Sequence, residues 1–218
     1  MTPESLAALA AAGFDVAHAF DAHAIAREPE LGWLAGAERR GILLGNTRAL
    51  WPPFAAAMRD LAFAAEPDPL ERYTEAAVDS AANGARVYYS HRQYDGAFLP
   101  FQRVAVATGL GALSEGGLVI HPTYGPWFAL RAIVLDDGEP VSRTPIAKPC
   151  VCDARCGAAL TTALASSDWQ AWLAVRDACA LGDWRYRDHQ VRYHYTKAWE
   201  REWGDTSPIS TSKRALDE

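Results

Sequence analysis

Lysine is nearly missing from this chain of 218 residues, which has only Lys148, Lys197 and Lys213. Its basic side chains are therefore mostly arginine, suited to bidentate contact with carboxylates or phosphates. A net charge of −6 argues against a nucleic-acid groove, which needs clustered Lys and Arg. No apolar run approaches the length needed to cross a bilayer. Glu4 stands early and no basic stretch precedes the alanine-rich segment, so the N-terminus does not read as a secretory signal, and the cytoplasm is the expected compartment. Two catalytic patterns are also missing: a zinc-protease helix and a G-x-S-x-G elbow. The run Gly109–Gly117 (GLGALSEGG) lacks the strand–helix context of a dinucleotide fingerprint. Electrons from a flavin or nicotinamide would then come from a bound partner or a diffusing cofactor.

Half the residues are hydrophobic, enough for one ordinary globular domain with a real core. Thr2-Pro3-Glu4 supplies a cap, a proline at the first helical position and an acid in the first turn, so a helix is expected over Pro3–Ala12, stopping at Gly13. Phe14–Phe20 alternates as a half-buried strand, Gly41–Thr47 reads as a central strand, and Arg86–Ser90 as another. Helices are expected over Trp51–Ala65, Pro69–Asn83 and Phe101–Thr108, with a turn-rich piece from His91 to Pro100. Asp136–Pro149 is a polar connector, and the chain from Cys150 is mostly helical. Strands and helices mixed without strict βαβ alternation predict an α+β layer fold, with an antiparallel or mixed sheet and helices on both sides.

The most informative stretch runs from Gly116 to Leu135 (GGLVIHPTYGPWFALRAIVL). Apolar runs bounded by Gly and Pro predict a strand, a sharp turn over Pro122–Pro126 and a second strand, placing a hairpin over 117–135 within the sheet. An imidazole at the mouth of an aromatic-flanked turn would make a wall for a flat ligand; the alternative is an ordinary hairpin with a surface histidine. Eight tryptophans and eight tyrosines allow core packing, an aromatic ligand wall, or both.

Cys150, Cys152 and Cys156 form C-x-C-x3-C, with Cys179 further on, and the chain has no other cysteine. In a cytoplasmic chain these thiols point to metal ligation over disulfides, with zinc or an iron–sulfur cluster as the candidates. The alternative is four separate thiols. Asp95, before Gly96, reads either as a turn former or, near a buried planar cofactor, as a proton donor. Arg185, Arg187 and Arg192 lie among tyrosines in DWRYRDHQVRYHYTK, as a charged helix face or an anion-binding group.

The hairpin GGLVIHPTYGPWFALRAIV and the later DWRYRD (Asp183–Asp188) resemble the family of the cobalamin-processing protein of methylmalonic aciduria with homocystinuria type C. The preceding RVAVATGLGALSEGGL resembles epoxyqueuosine reductases and reductive dehalogenases. The resemblance covers about residues 40–195 and is strongest over roughly 95–135. It implies a single-domain α+β fold, a nitroreductase-like sheet flanked by helices. It also implies base-off cobalamin binding and reductive cobalamin chemistry, either upper-ligand removal or cobalamin-dependent reduction; a non-catalytic cofactor-delivery module is the alternative. On this reading residues 1–149 form the cobalamin-binding core, 150–203 a cysteine-containing helical part of the same domain, and 204–218 a flexible tail. Gly117, His121, Tyr124, Gly125, Pro126, Trp127 and Phe128 would line the corrin, His121 contacting a corrin amide or the backbone rather than cobalt. Arg187 would reach the nucleotide tail or a thiol, and Asp95 would be the proton donor. The position of the cysteines after the hairpin favours a [4Fe-4S] cluster over zinc. A low-molecular-weight thiol or a redox protein is the expected reductant, and a homodimer is a further expected partner. Epoxyqueuosine reduction itself is disfavoured, because the two ferredoxin-type cysteine runs and a basic surface are missing.

Overall fold

The computed structural model describes residues 1–146 and 156–199. Its centre is a four-stranded antiparallel sheet of β1 (Val16–Asp21), β2 (Arg40–Asn46), β8 (Ala129–Asp136) and β3 (Arg86–Tyr89), in the order β1-β2-β8-β3. The two apolar runs, β2 and β8, take the middle positions and are covered on both faces, as near-continuous hydrophobic strands should be. One face carries Ile42, Leu44, Ala132 and Val134 against α1 (Pro3–Ala11), α3 (Trp51–Ala57) and α5 (Pro69–Ala82). The other carries Leu43, Ile133 and Leu135 against α2 (Ala22–Ile25) and α6 (Phe101–Ala107). Each fully buried Leu or Phe on these faces contributes about 1.5–3 kcal/mol. The expected α+β layers, with helices on both sides of the sheet, are present.

The first helix begins as the sequence predicts. Thr2 Oγ1 accepts the Ser5 amide at 3.2 Å, and Gly13, at φ +92°, turns the chain out. The helix expected over 51–65 divides into α3 and α4 (Leu61–Ala64), because the Asp60 carboxylate accepts the Ala62 and Phe63 amides and opens a new helix start. The turn-rich piece after β3 contains a small ribbon of β4 (Gln93–Tyr94) and β5 (Ala97–Phe98).

The hairpin differs from the expectation. Its second strand is β8, but its first, β7 (Val119–Ile120), pairs with β6 (Ala112–Leu113) in a separate ribbon. Only an isolated bridge, His121 to Gly125, closes the turn. The chain between Ile120 and Ala129 is too constrained by Pro122, Gly125 and Pro126 to keep two strands in ladder contact.

β8 also carries a bulge. Leu44 faces Ala132 and Gly45 faces Leu130, so Arg131 is an extra residue without a partner on β2. A bulge reverses the alternation of side chains. Downstream, the odd residues Ile133 and Leu135 face α6; upstream, the even residues Phe128 and Leu130 do so.

After the undescribed 147–155 come α7 (Gly157–Leu164), α8 (Trp169–Asp177) and α9 (Asp188–Thr196). They build two small clusters, Leu160, Ala163 and Val175 in one, Trp127, Tyr186 and Val191 in the other. Trp127 thus ties the C-terminal helices to the hairpin. No helix among the described residues is long and apolar enough to cross a membrane.

Candidate functional site

The turn at the hairpin mouth is organised by His121. Its Nδ1 accepts the amides of Thr123 at 3.0 Å and Tyr124 at 3.2 Å, so the proton of the neutral ring sits on Nε2. The imidazole stacks on Tyr124, with ring centroids 4.3 Å apart, and meets the Phe128 ring edge-on at 5.6 Å. Burial, reinforced by nearby His18, depresses its pKa to about 4. A nitrogen that already accepts two backbone N–H groups has no lone pair for a metal, so His121 meets the backbone through Nδ1, one of the two contacts expected for it.

The aromatic series continues into the C-terminal part. Tyr124 meets Trp184 edge-on at 4.8 Å, and the Arg48 guanidinium lies 5.2 Å above Trp184 while donating to the Asp183 carbonyl at 3.0 Å. Trp127 is fully buried, edge-on to Tyr186, with Arg176 and Arg185 5.7 and 5.6 Å from its ring centroid. Its ring presents no free face to a ligand, which makes it packing rather than wall in this conformation. Gly125 lies at φ +56°, and a Cβ there would run into the Leu181 carbonyl. Pro126 and Phe128 are buried; Gly117, at φ +73°, faces open space.

Beside the hairpin lies a cavity of about 240 Å³. Phe101, Leu118, Val119, Phe128 and Leu130 give it apolar walls, and Gln102 and Arg176 bring polar groups. Gln102 Nε2 donates to the Gly117 carbonyl at 3.0 Å and also borders a larger cavity of about 770 Å³, between α6 and the segment around Glu28–Leu31. Two adjoining apolar clefts with few polar groups suit a large planar ligand.

On the opposite face of the sheet the bulge residue Arg131 enters a nearly closed polar niche with Tyr186, Gln190 and His194. Its Nε donates to Asn46 Oδ1 at 2.7 Å, and burial lowers its pKa. His194 is held neutral, at about 3, by burial and by the neighbouring charges of Arg176, Arg131 and Lys197. This niche was not expected from the sequence; the signal was a lone charge inside the apolar run ALRAIV.

The remaining expected site residues scatter. Asp95 is exposed at the β4–β5 tip, where Asp95 and Gly96 both have positive φ (51° and 80°) in a two-residue Asp-Gly turn. There it is a turn former, and it faces neither cavity. Arg187 is half-buried just before α9; its carbonyl accepts the Val191 amide at 2.8 Å, while its guanidinium makes no hydrogen bond or ion pair with any described residue. Cys150 and Cys152 lie outside the described residues. Cys156, at the start of α7, and Cys179, after α8, are half-buried. Among the described residues no group of three or more His, Cys, Asp or Glu side chains is placed to hold a metal ion. His91, at the start of the turn-rich piece, pairs with Glu75 at 2.9 Å beside Arg92, at 2.7 Å from the same oxygen.

No known protein-family model matches the chain. Over 119 residues it is 30% identical to the cyanocobalamin reductase / alkylcobalamin dealkylase of Mus musculus, a stretch covering 54% of this chain and 38% of that protein. A structure of a C. elegans B12-trafficking protein CblC, a human MMACHC homologue, superposes with a TM-score of 0.56 at 14% identity, covering 82% of this chain and 84% of that one. The fold is that of CblC. The resemblance read in the hairpin is borne out at this level. A crystal structure of epoxyqueuosine reductase aligns over 72% of this chain and 52% of its own, at 16% identity and a TM-score of 0.42. The chain spans well under half the length of the mouse reductase that it matches.

Proposed function

We propose that the chain binds cobalamin in the base-off form and takes part in its reductive processing, by removing the upper ligand or by using reduced cobalt on a substrate. The observation that carries this reading is the 30% identity to a cyanocobalamin reductase / alkylcobalamin dealkylase, on a chain with the CblC fold. The site is compatible with it. Adjoining apolar clefts of about 240 and 770 Å³ meet at Gln102, and the hairpin histidine turns Nδ1 away from any ligand. When bound, cobalamin would supply a redox-active cobalt.

The chain's own residues have three tasks on this reading. Phe128, met edge-on by His121, forms one wall of the smaller cleft and excludes water, and Tyr124, stacked on the same imidazole at the hairpin mouth, offers a further ring to the corrin. Gln102 holds α6 against Gly117 and keeps the two clefts in register. Arg187, unpaired among the described residues, offers a guanidinium for a thiol's carboxylate or for the nucleotide tail. A low-molecular-weight thiol or a redox protein would be the reductant. A metal shared by Cys150, Cys152, Cys156 and Cys179 remains part of the proposal; iron and zinc analysis of protein purified without oxygen tests it, with either metal in proportion to the chain as the expected result.

The visible spectrum tests the main reading. Adding cobalamin should shift the cobalt bands to the base-off pattern, and a reductant should then give the reduced-cobalt spectrum. No spectral change would remove cobalamin from the account. A second reading, cofactor delivery without catalysis, is favoured by the trafficking role in the description of the CblC structure. It predicts the base-off shift without faster reduction than free cobalamin shows.

A further inference from the structure

Two guanidinium groups lie over the ring of Trp127, and their surroundings differ. Arg185 is fully supplied with counter-charge: Asp177 at 2.7 Å and Asp188 at 2.7 Å. Arg176 has no carboxylate and no hydrogen-bond acceptor among the described residues, and its Nη1 is wholly covered without a partner. Trp127 and Tyr195, with centroids 5.7 and 5.8 Å away, stabilise the charge through their ring faces but accept no in-plane hydrogen bond. A half-buried guanidinium left this way costs free energy unless an anion completes it.

Among the described residues, Arg176 is also the one cation on the wall of the 240 Å³ hairpin cavity. The other polar groups there are committed, Gln102 to the Gly117 carbonyl and Ser90 to the Leu130 carbonyl at 2.9 Å. The niche on the opposite face of the sheet repeats the imbalance, since Arg131 bonds an amide oxygen and His194 stays neutral beside both arginines. This part of the molecule has cations in excess and one cavity large enough for a small anion. We infer that Arg176 is an oxyanion-binding residue of the hairpin cavity, and that its ligand carries a phosphate group. Guanidinium and phosphate form charge-assisted, bidentate hydrogen bonds, the strongest pairing open to this side chain. The inference stands whether or not the cavity holds a corrinoid. The phosphate can come from the phosphodiester of a cobalamin tail or from a separate phosphate-bearing ligand.

Phenylglyoxal labelling of the wild-type chain, mapped by mass spectrometry, tests this without any variant. Inorganic phosphate should slow labelling of Arg176 saturably, by about fivefold or more, and leave the exposed Arg92 unchanged, with chloride as the ionic-strength control. In thermal shifts, Arg176→Gln should weaken the apparent phosphate affinity by about tenfold and Arg176→Lys should recover most of it. The source is read from cobalamin against cobinamide, which lacks the phosphodiester. A loss of affinity in Arg176→Gln confined to cobalamin identifies the tail. Equal affinities with phosphate protection intact identify a separate ligand. Phosphate protection without any corrinoid binding keeps this inference and defeats the proposed function. Labelling of Arg176 indifferent to phosphate overturns the inference, whatever cobalamin does.

Discussion

His121 and Tyr124 are joined twice: the rings stack at 4.3 Å, and the His121 Nδ1 accepts the Tyr124 amide at 3.2 Å. One histidine therefore fixes both the backbone of the turn and the orientation of the aromatic ring at the hairpin mouth.

Tyr124→Ala should weaken cobalamin binding by about tenfold or more, because the contact area of such a ring is worth on the order of 2 kcal/mol. Equilibrium titration followed by absorbance measures it. Since Tyr124 is only half-buried in the free protein, its loss should cost less stability than that of Trp127.

Trp127→Ala should act first on folding. The ring is fully buried between the hairpin and the C-terminal helices, and removing such a side chain costs about 3–5 kcal/mol. Denaturant unfolding should show the loss, and hydrogen exchange should speed up in α8 and α9 before it does in β2 or β8.

Gly125→Ala and Gly117→Ala should separate two effects. Both positions have positive φ, so each substitution carries a strain of about 1 kcal/mol. Only at Gly125 would the new methyl group also meet the Leu181 carbonyl. Thermal unfolding should find Gly125→Ala clearly the less stable of the two.

Stability should fall with acidification below about pH 6.5. His121 and His194 have folded pKa values lowered to about 4 and about 3 from an ordinary 6.5, in both cases mainly by burial. Above pH 6.5 they are neutral in both states and their contribution is fully present. As the pH drops, the unfolded chain takes up protons that the folded chain refuses, and the loss levels off below the folded values. His121→Asn, whose side-chain oxygen can still accept the turn amides, should flatten the slope between pH 6.5 and 4 in pH-dependent denaturation.

The central strands were legible because Gly41–Gly45 is apolar throughout and Ala129–Leu135 is apolar but for Arg131, a pattern typical of a doubly covered strand. The start of α1 and the turn at Asp95-Gly96 were equally plain, since each is fixed by two or three neighbouring residues. The pairing of Val119–Ile120 was not, because the choice between β6 and β8 depends on how tightly the Pro122–Pro126 turn bends. The polar niche was out of reach for another reason: Asn46, Arg131 and His194 come from three distant segments, and nothing local marks their meeting. Arg176 reads as an ordinary solvated helix charge until α8 docks on Trp127 and leaves it without a counter-ion among the described residues.

The bulge at Arg131 makes β8 two substitution regimes in one element. Upstream of it, Phe128 and Leu130 line the hairpin cavity; downstream, Ile133 and Leu135 pack into the same layer from the opposite parity. Deleting the single residue 131 would turn Phe128 and Leu130 to the far side of the sheet and erase a wall of the cavity, with no change to any side chain that lines it. In this chain, length at one position is as much a determinant of the hairpin cavity as the identity of the residues that line it.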